Sequence, residues 1–176
     1  MNILIAILLV FACVIALLLI TAFFMKKEHF VKCDVIINAP SQKVFDYLRF
    51  LKHQDEFNEH ATQGGEREKN FKGTDGTVGY VYAWKGDKKA GEGEKEIIDL
   101  VEGRKVETEI RFIKPMKVSS RVIMDMEPLA SGQTKVTWSN QGTLPYPFNL
   151  MIPMMEKGLP ASMHTSLNNL KTILEK

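Results

Sequence analysis

Aromatic side chains that carry polar groups recur at every second position within residues 77–97. Tyr80, Tyr82 and Trp84 are each separated by one smaller residue. On a β-strand, side chains two residues apart point to the same face of the sheet. Because a buried Tyr or Trp usually needs a hydrogen-bonding partner, such a face is apolar without being dry. The spacing predicts the wall of a ligand cavity, with ordinary core packing or an outer sheet face as alternatives.

Glycine and glutamate alternate just downstream, at Gly91, Glu92, Gly93 and Glu94. A phosphate-binding loop needs its glycines at a strand-to-helix turn, where helix N–H groups point at the anion. These glycines instead lie inside a strand-forming run, and the adjacent carboxylates would repel a phosphate. The segment therefore predicts a bulge or a strong bend in a β-sheet.

His53, Glu56 and His60 could share one face of a helix and so suggest a metal site. Their spacing differs from the His-Glu-x-x-His arrangement, which presents two histidines to zinc. A solvated, charged helix is the favoured interpretation. No metal ion or other cofactor is expected.

The sequence contains no recognisable Ser-His-Asp or Cys-His catalytic set. Acid–base catalysis needs titratable side chains with shifted pKa values inside a pocket. Tyr80, Tyr82 and His164 keep such a role open, while Arg121 and Asp125 are expected on the outer sheet face. Enzymatic activity is left open, and a function without catalysis is favoured.

The first part of the chain is predicted to be a membrane anchor. Residues 2–24 contain no charged residue and are mostly Ile, Leu, Val, Ala and Phe. As a helix they would extend about 35 Å, enough to cross a hydrocarbon core of about 30 Å. A cleaved signal peptide is disfavoured because no basic residue precedes the run, which is long and ends in bulky Phe23-Phe24-Met25.

Charges after the span predict the side on which the rest of the chain lies. Lys26, Lys27 and Lys32 favour the cytoplasmic side by the positive-inside rule. Cys13 in the span and Cys33 just after it cannot form a bridge within the soluble part. The 23 basic and 21 acidic side chains are interleaved, so nothing indicates a nucleic-acid partner.

Residues 25–30 are interpreted as a tether and residues 31–176 as one domain. In this domain, a strand and a pair of short helices precede about six consecutive strands and a long terminal helix. Alternation places on one sheet face Val78, Tyr80, Tyr82, Trp84, Val106, Thr108, Ile110, Phe112, Ser120, Val122, Met124, Met126, Val136 and Trp138. This face needs a cover, and one helix cannot fill a strongly curved sheet, so a cavity between them is expected.

A helical stripe of apolar side chains ends the chain. The stripe consists of Leu159, Met163, Ser166, Leu167, Leu170, Ile173 and Leu174. Pro153 and Pro160 are expected to break residues 146–159 into a bent, apolar lead-in. This lead-in is rich in methionine, which suits either ordinary packing or a lid that touches the bilayer.

Three segments resemble the helix-grip superfamily called SRPBCC, which includes START-like, birch-pollen-allergen-like and polyketide-cyclase-like domains. VIINAPSQKVFDYL is similar to its opening strand, Ala-Pro corner and first helix. Residues 78–115 resemble its central hairpins, and GQTKVTWSNQG its last long strand. The resemblance covers residues 31–175. One stretch departs from it: LKHQDEFNEHA stands where relatives often have a Trp-rich segment, so this pocket wall is expected to be more polar or differently placed.

The resemblance implies an α+β helix-grip fold, in which a curved antiparallel sheet of about seven strands surrounds a long C-terminal helix, here preceded by one N-terminal transmembrane helix. It also implies a hydrophobic internal cavity. The chain is thus expected to be a membrane-anchored domain that binds a small hydrophobic or amphipathic ligand, such as a lipid. A polyketide cyclase- or dehydratase-like enzyme and a chaperone-activator-like interaction module are the alternatives, because fold alone does not give function. The side chains expected to contact the ligand are Tyr80, Tyr82, Trp84, Thr108, Ile110, Phe112, Ser120, Val122, Met124, Trp138, Met155, Leu159 and Met163.

Overall fold

The structure is a computed structural model that describes residues 2–59, 67–86 and 91–176. The helices are α1 (Ile3–Phe24), α2 (Ser41–Leu48), α3 (Leu51–Phe57) and α4 (Ile152–Leu174). The strands are β1 (Glu28–Ile37), β2 (Arg67–Lys72), β3 (Val81–Gly86), β4 (Glu92–Val101), β5 (Lys105–Lys114), β6 (Val118–Pro128) and β7 (Thr134–Thr143). Short 3-10 turns lie at Ala130–Gly132 and Phe148–Met151. His60 and the hairpin tip at residues 87–90 lie outside the described residues.

Within the described residues, seven strands form one antiparallel sheet in the order β1-β7-β6-β5-β4-β3-β2. Strands β2 to β7 follow one another along the chain, and β1 pairs with the free side of β7. The predicted α+β architecture of a seven-stranded sheet with a long C-terminal helix is confirmed. The predicted irregularity in β4 is also confirmed, because its pairing with β5 shifts register between Glu92 and Gly93.

Alternation along the strands holds across most of the sheet. One continuous row of cross-strand partners, here called the Lys95 row, runs from β1 to β3 and consists of His29, Gly142, Ser120, Ile110, Lys95 and Tyr82. It lies on the inner face, which the helices cover. The adjoining row toward the strand ends holds Val118, Phe112, Gly93 and Trp84.

The prediction that Val78 shares the inner face is wrong. Val78 is exposed and precedes β3, which begins only at Val81. Gly76 and Gly79 adopt φ values of 80° and 85°, so the backbone turns here instead of extending. Tyr80 still reaches the inner face, because its carbonyl accepts a hydrogen bond of 3.0 Å from the N–H of Ile97.

The helices divide the inner face between them. Helices α2 and α4 pack on β1, β5, β6 and β7 in one core cluster, whose larger members include Phe45, Leu48, Val122, Met124, Trp138, Met163, Leu167 and Leu170. The stripe predicted for the terminal helix supplies its α4 members. A smaller cluster forms where Leu51 of α3 packs with Tyr80, Tyr82 and Ile97. The cover over β3 and β4 is therefore α3.

The predicted break in the terminal helix is wrong. Pro153 lies in the first turn of α4, where a missing N–H leaves no intrahelical bond unmade. The helix continues through Pro160 to Leu174. Buried Ile152 and Met163 anchor it on either side of Pro160, so packing outweighs the loss of one backbone hydrogen bond.

Helix α1 is long and apolar enough to cross a membrane, and an N-terminal signal sequence would meet the same criterion. Among its residues only Ala22 is buried. Strand β1 begins at Glu28, so the connection covers residues 25–27 and is shorter than the tether expected at residues 25–30.

Two polar side chains join the end of α1 to the start of α4. The buried Asn149 donates from Nδ2 to the carbonyl oxygens of Ala22 at 2.6 Å and Met25 at 3.1 Å. Glu156 binds Lys26 Nζ at 2.7 Å and accepts from the N–H of Phe30 at 3.4 Å. Because the carbonyls at a helix C-terminus lack intrahelical partners, Asn149 acts as a tertiary cap for α1.

Candidate ligand-binding site

Part of the inner face is closely packed. Of the residues expected to contact a ligand, Val122, Met124, Trp138 and Met163 belong to the core cluster under α2 and α4. Thr108 is also buried, at 2 % exposure. The structure places these five side chains in the packed interior.

Another part of the inner face is incompletely covered. Phe112 is 38 % exposed, and its neighbours Trp84 and Ile110 are half-buried. Met155 and Leu159, from the first turns of α4, are half-buried as well. These five residues were all expected to contact a ligand, and three of them lie in the Lys95 row or the row beside it. Large apolar side chains that remain accessible on a concave face are a typical lining for a ligand site.

A glycine shapes this open region. Trp84 and Gly93 are directly paired across β3 and β4, and a Cβ on Gly93 would lie 2.6 Å from Cζ2 of Trp84. The absence of a side chain lets the indole ring lie across β4 toward β5. There it meets Phe112 edge-to-face, with ring centroids 5.9 Å apart. Gly93 thus provides the space in which the Trp84 ring packs against Phe112.

A buried lysine lies beside these aromatic rings. Lys95 is 8 % exposed, and its cross-strand neighbours are Tyr82 on β3 and Ile110 on β5. Its Nζ donates a hydrogen bond to Oε1 of Gln54 on α3. Burial lowers the pKa of the Lys95 ammonium to about 8, and the Asp55 carboxylate opposes this shift only in part. Sequence analysis had not singled out Lys95.

Helix α3 supplies the polar groups that face Lys95. Gln54 donates from Nε2 to the Leu48 carbonyl at 2.8 Å, which turns its Oε1 toward the lysine. Asp55 accepts hydrogen bonds from the Tyr82 hydroxyl and from Lys69 Nζ, both at 2.8 Å. Burial, followed by the bond to Asp55, raises the pKa of the Tyr82 phenol. Both α3 residues belong to the stretch LKHQDEFNEHA, so this stretch brings polar groups to the inner face beside β3 and β4. The expectation of a more polar pocket wall there stays a prediction.

Four further buried side-chain atoms have no hydrogen-bond partner among the described residues. They are the Tyr80 hydroxyl, Trp138 Nε1, His29 Nδ1 and Asn149 Oδ1. Buried polar atoms in proteins nearly always find a partner, either in the protein or in ordered water. Three of the four face the sheet interior from Tyr80, Trp138 and His29.

His29 occupies the β1 end of the Lys95 row. It is 4 % exposed, and its Nε2 lies 3.0 Å from Oδ1 of Asn140. A Cβ on its partner Gly142 would come within 2.7 Å of the imidazole, so the glycine provides the space for this ring. Because His29 follows α1 by only a few residues, the Lys95 row begins close to that helix.

The outer face carries a separate groove of about 930 Å³ beside the end of α1. Its lining is Met25, Lys26, Lys27, Glu28, His29, Phe30, Glu109, Ser119, Arg121, Gln141, Gly142, Thr143 and Glu156. Most of these side chains point to the opposite side of their strands from the Lys95 row. The groove therefore does not open onto Lys95. Its charges are mixed, which favours neither an anion nor a cation.

The other candidates from the sequence lie away from the inner face or bind within the domain. Glu56 accepts a hydrogen bond of 2.8 Å from the Tyr47 hydroxyl, and the His53 ring stacks on Tyr47 at 4.7 Å. His164 is exposed on α4, and Arg121 pairs with Glu107 on the outer face at 2.9 Å. Within the described residues, no group of three or more His, Cys, Asp or Glu side chains could hold a metal ion.

Solved structures of the same fold resemble this chain at low sequence identity. Protein MLL2253 from Mesorhizobium loti is 15 % identical with a TM-score of 0.62, over 84 % of this chain and 97 % of that one. Truncated norcoclaurine synthase from Thalictrum flavum is 13 % identical with a TM-score of 0.61, over 85 % and 95 %. For the Aha1 dimer from Colwellia psychrerythraea, identity is 14 % and the TM-score 0.56, over 83 % and 96 %.

These three likenesses concern the fold, because each identity is low. No curated protein matches the sequence. The family model described as polyketide cyclase / dehydrase and lipid transport matches residues 29–175, from the second residue of β1 to the end of α4. By this match the chain belongs to the polyketide cyclase / dehydrase and lipid transport family.

Proposed function

We propose that this protein is anchored in a membrane by α1 and binds a small amphipathic molecule on the inner face of its sheet. The observation that carries the proposal is the junction of two surfaces. Half-exposed Trp84, Ile110 and Phe112 offer apolar contact, and buried Lys95 and Tyr82 offer polar contact directly beside them. A molecule with one apolar and one polar part matches this arrangement.

The position of the site relative to α1 supports a membrane-derived ligand. The Lys95 row starts at His29, just after α1, so the open part of the inner face lies at the α1 end of the strands. The hydrogen bonds of Asn149 hold the start of α4 against the end of α1. Lys26 and Lys27 follow the span and favour a cytoplasmic domain. A ligand dissolved in the bilayer would then reach the site over a short distance.

Native mass spectrometry of the full chain, released from lipid nanodiscs, tests the binding function. We expect one bound amphiphile per chain that survives removal of the bulk lipid. Ile110→Trp would fill the open region and remove this adduct. Ile113→Trp is the matched control, because Ile113 lies on the same strand, is exposed and points outward. An adduct that persists equally in both variants, or is absent from the wild type, would contradict the proposal.

An enzymatic function is the second candidate, and one observation favours it. A buried amine whose pKa is lowered toward neutrality, beside a tyrosine bonded to a carboxylate, is typical of acid–base sites. Tyr82→Phe would then abolish turnover of a bound molecule while leaving its binding intact. Recovery of the ligand chemically unchanged after long incubation with the wild type would rule this candidate out.

A further inference from the structure

We propose that Lys95 recognises an anionic group of the ligand, so that the ligands of this protein are amphipathic acids whose carboxylate or similar oxyanion binds the lysine ammonium. The inference rests on the proposed binding function and specifies the chemical class of the bound molecule. It is drawn from the placement of charges around Lys95 on every element that packs against it.

The lysine has an incomplete set of partners. An ammonium group has three N–H donors. Among the described residues, its one hydrogen-bond acceptor is the neutral amide oxygen of Gln54. A buried charge is strongly unfavourable unless it is paired and its hydrogen bonds are made. Within the described residues, Lys95 therefore keeps unused hydrogen-bonding capacity, and Asp55 offsets its positive charge only in part.

The acidic residues nearest in sequence cannot supply the missing charge. Glu94 and Glu96 flank Lys95 on β4, and alternation turns both to the outer face. There Arg111 binds Glu94 through Nε at 2.6 Å and Glu96 through Nη2 at 2.5 Å. Glu109 binds the same guanidinium. The outer face thus has an excess of carboxylates around one arginine, and neither carboxylate that flanks Lys95 in sequence is available to it.

The acidic residue nearest in space is already engaged. Asp55 on α3 binds Lys69 of β2 and the Tyr82 hydroxyl of β3 through its Oδ2. Arg67 of β2 also acts electrostatically on Tyr82. Asp75, which acts on Tyr80 from the other side, accepts hydrogen bonds from the N–H groups of Leu51 and Lys52 at the start of α3. On the β5 side, the facing residue is the apolar Ile110.

The surroundings of Lys95 also indicate where the apolar part of the ligand lies. Ile110 is in the Lys95 row, and Trp84 and Phe112 are in the adjoining row toward the strand ends. Their exposed surface lies on the side of Lys95 away from the packed core. A carboxylate at Lys95 would therefore place its hydrocarbon chain over these three side chains. A charge-assisted hydrogen bond in such a setting contributes about a tenfold gain in affinity.

Calorimetric titration of the full chain in nanodiscs with decanoate and with 1-decanol, corrected against empty nanodiscs, tests the inference. At pH 6.5 we expect decanoate to bind the wild type at least about tenfold more tightly than it binds Lys95→Met. The affinity of decanol should be the same for both proteins. Lys135→Met, which removes a lysine from the outer face of β7, is the matched control and should bind both probes as the wild type does.

A second measurement needs no variant. Raising the pH from 6.5 to 9.5 neutralises Lys95 but leaves decanoate ionised, so decanoate affinity for the wild type should fall about tenfold. Decanol affinity should stay constant. Saturable binding of both probes, with decanoate insensitive to Lys95→Met and to pH, would overturn the inference and leave the binding function standing. If neither decanoate nor decanol binds saturably, both the inference about Lys95 and the proposed binding function are overturned.

Discussion

The Lys95 ammonium donates a hydrogen bond to the Gln54 side chain across the contact between β4 and α3. Gln54 in turn donates to the Leu48 carbonyl at the end of α2, so its amide has a fixed orientation. A neutral acceptor satisfies one donor of the ammonium and leaves its charge unbalanced. Burial of this charge therefore lowers the stability of the domain near neutral pH. In the binding function proposed above, the anionic group of the ligand would offset that cost.

Lys95→Met should stabilise the protein near pH 7. A pKa of about 8 against an ordinary 10.5 corresponds to a destabilisation of about 3 kcal/mol when the amine is charged. Part of the gain is lost because Gln54 Oε1 keeps no partner, so we expect a net increase of about 1–3 kcal/mol in the free energy of unfolding. Chemical denaturation of the full chain in a non-ionic detergent, followed by tryptophan fluorescence, measures this difference.

The advantage of Lys95→Met should depend on pH in a defined direction. Below pH 8 the amine is protonated in both the folded and the unfolded chain, so folding of the wild type bears the full cost of burying the charged amine. Between about pH 8 and 10.5 the unfolded chain binds more protons, and wild-type stability rises relative to the variant. Above this window the penalty is gone. A difference that stays constant from pH 7 to 10.5 would show that Lys95 is not buried as a free cation.

Gly93→Ala should destabilise the sheet and disturb the aromatic surface. The new Cβ would lie 2.6 Å from Trp84 Cζ2 and 2.8 Å from the Arg111 carbonyl oxygen, and the latter is backbone that cannot move aside cheaply. Such overpacking typically costs about 1–3 kcal/mol. Gly158→Ala in α4 is the control, because nothing lies within 4 Å of its added Cβ. We expect that substitution to stabilise the helix slightly, and equal effects of the two would contradict the account.

Asn149→Ala should loosen the junction between α1 and the domain. It removes both hydrogen bonds to the carbonyls of Ala22 and Met25, which lie at the end of α1. We expect faster amide hydrogen exchange at Met25 and at Leu144, whose N–H donates to Lys27 across the same junction. The exposed Asn168 provides the control substitution Asn168→Ala. Unchanged exchange at both amides would show that α1 and the domain are held together by other contacts.

If α1 is the membrane anchor proposed above, the segment from Phe148 to Met154 should contact the same membrane. Phe148 and Met154 are 47 % and 65 % exposed, and Asn149 between them is bound to the end of α1. Apolar side chains held at this level should insert into the bilayer interface. Spin labels at Phe148→Cys and Met154→Cys, with Cys13 and Cys33 replaced by alanine, should collide more with oxygen than with a water-soluble nickel complex. A label at Ala130→Cys, in the Ala130–Gly132 turn, is the aqueous control.

A further label separates two ways in which this last expectation can fail. One outcome is that a label at Val10→Cys in α1 lies in lipid while the labels at Phe148 and Met154 are aqueous. That result would support α1 as the membrane anchor and contradict the membrane contact of residues 148–154. If all the labels are aqueous, α1 is not a membrane span in the mature protein.

The fold was predictable because it depends on local patterns. Period-two alternation set the faces of β5, β6 and β7 correctly, and the stripe from Leu159 to Leu174 identified the terminal helix. Val78 broke the pattern because a turn with two positive-φ glycines interrupts its strand. Pro160 was misjudged because tertiary packing on both sides of it outweighed a local rule.

The polar part of the site was harder to predict. Lys95 alternates correctly with Gly93 and Ile97, so its inward position could have been read from the sequence. Because Lys95 is charged, it was expected to point outward, and the alternation of β4 was not used to assign its face. Gln54 and Asp55 reach the site from a helix about 40 positions away, and that proximity comes from tertiary structure alone. The departure of LKHQDEFNEHA from its relatives was the available signal, and it indicated polarity without naming the partners.

Photo-crosslinking with a diazirine-bearing fatty acid tests the central claim most directly. The full chain in nanodiscs would be irradiated with the probe, with and without excess decanoate, and the modified peptides mapped by mass spectrometry. We expect adducts at Trp84, Ile110 and Phe112 that decanoate suppresses, beside unsuppressed adducts on α1 from lipid contact. Adducts confined to α1 and the outer face, none of them suppressed by decanoate, would contradict binding on the inner face.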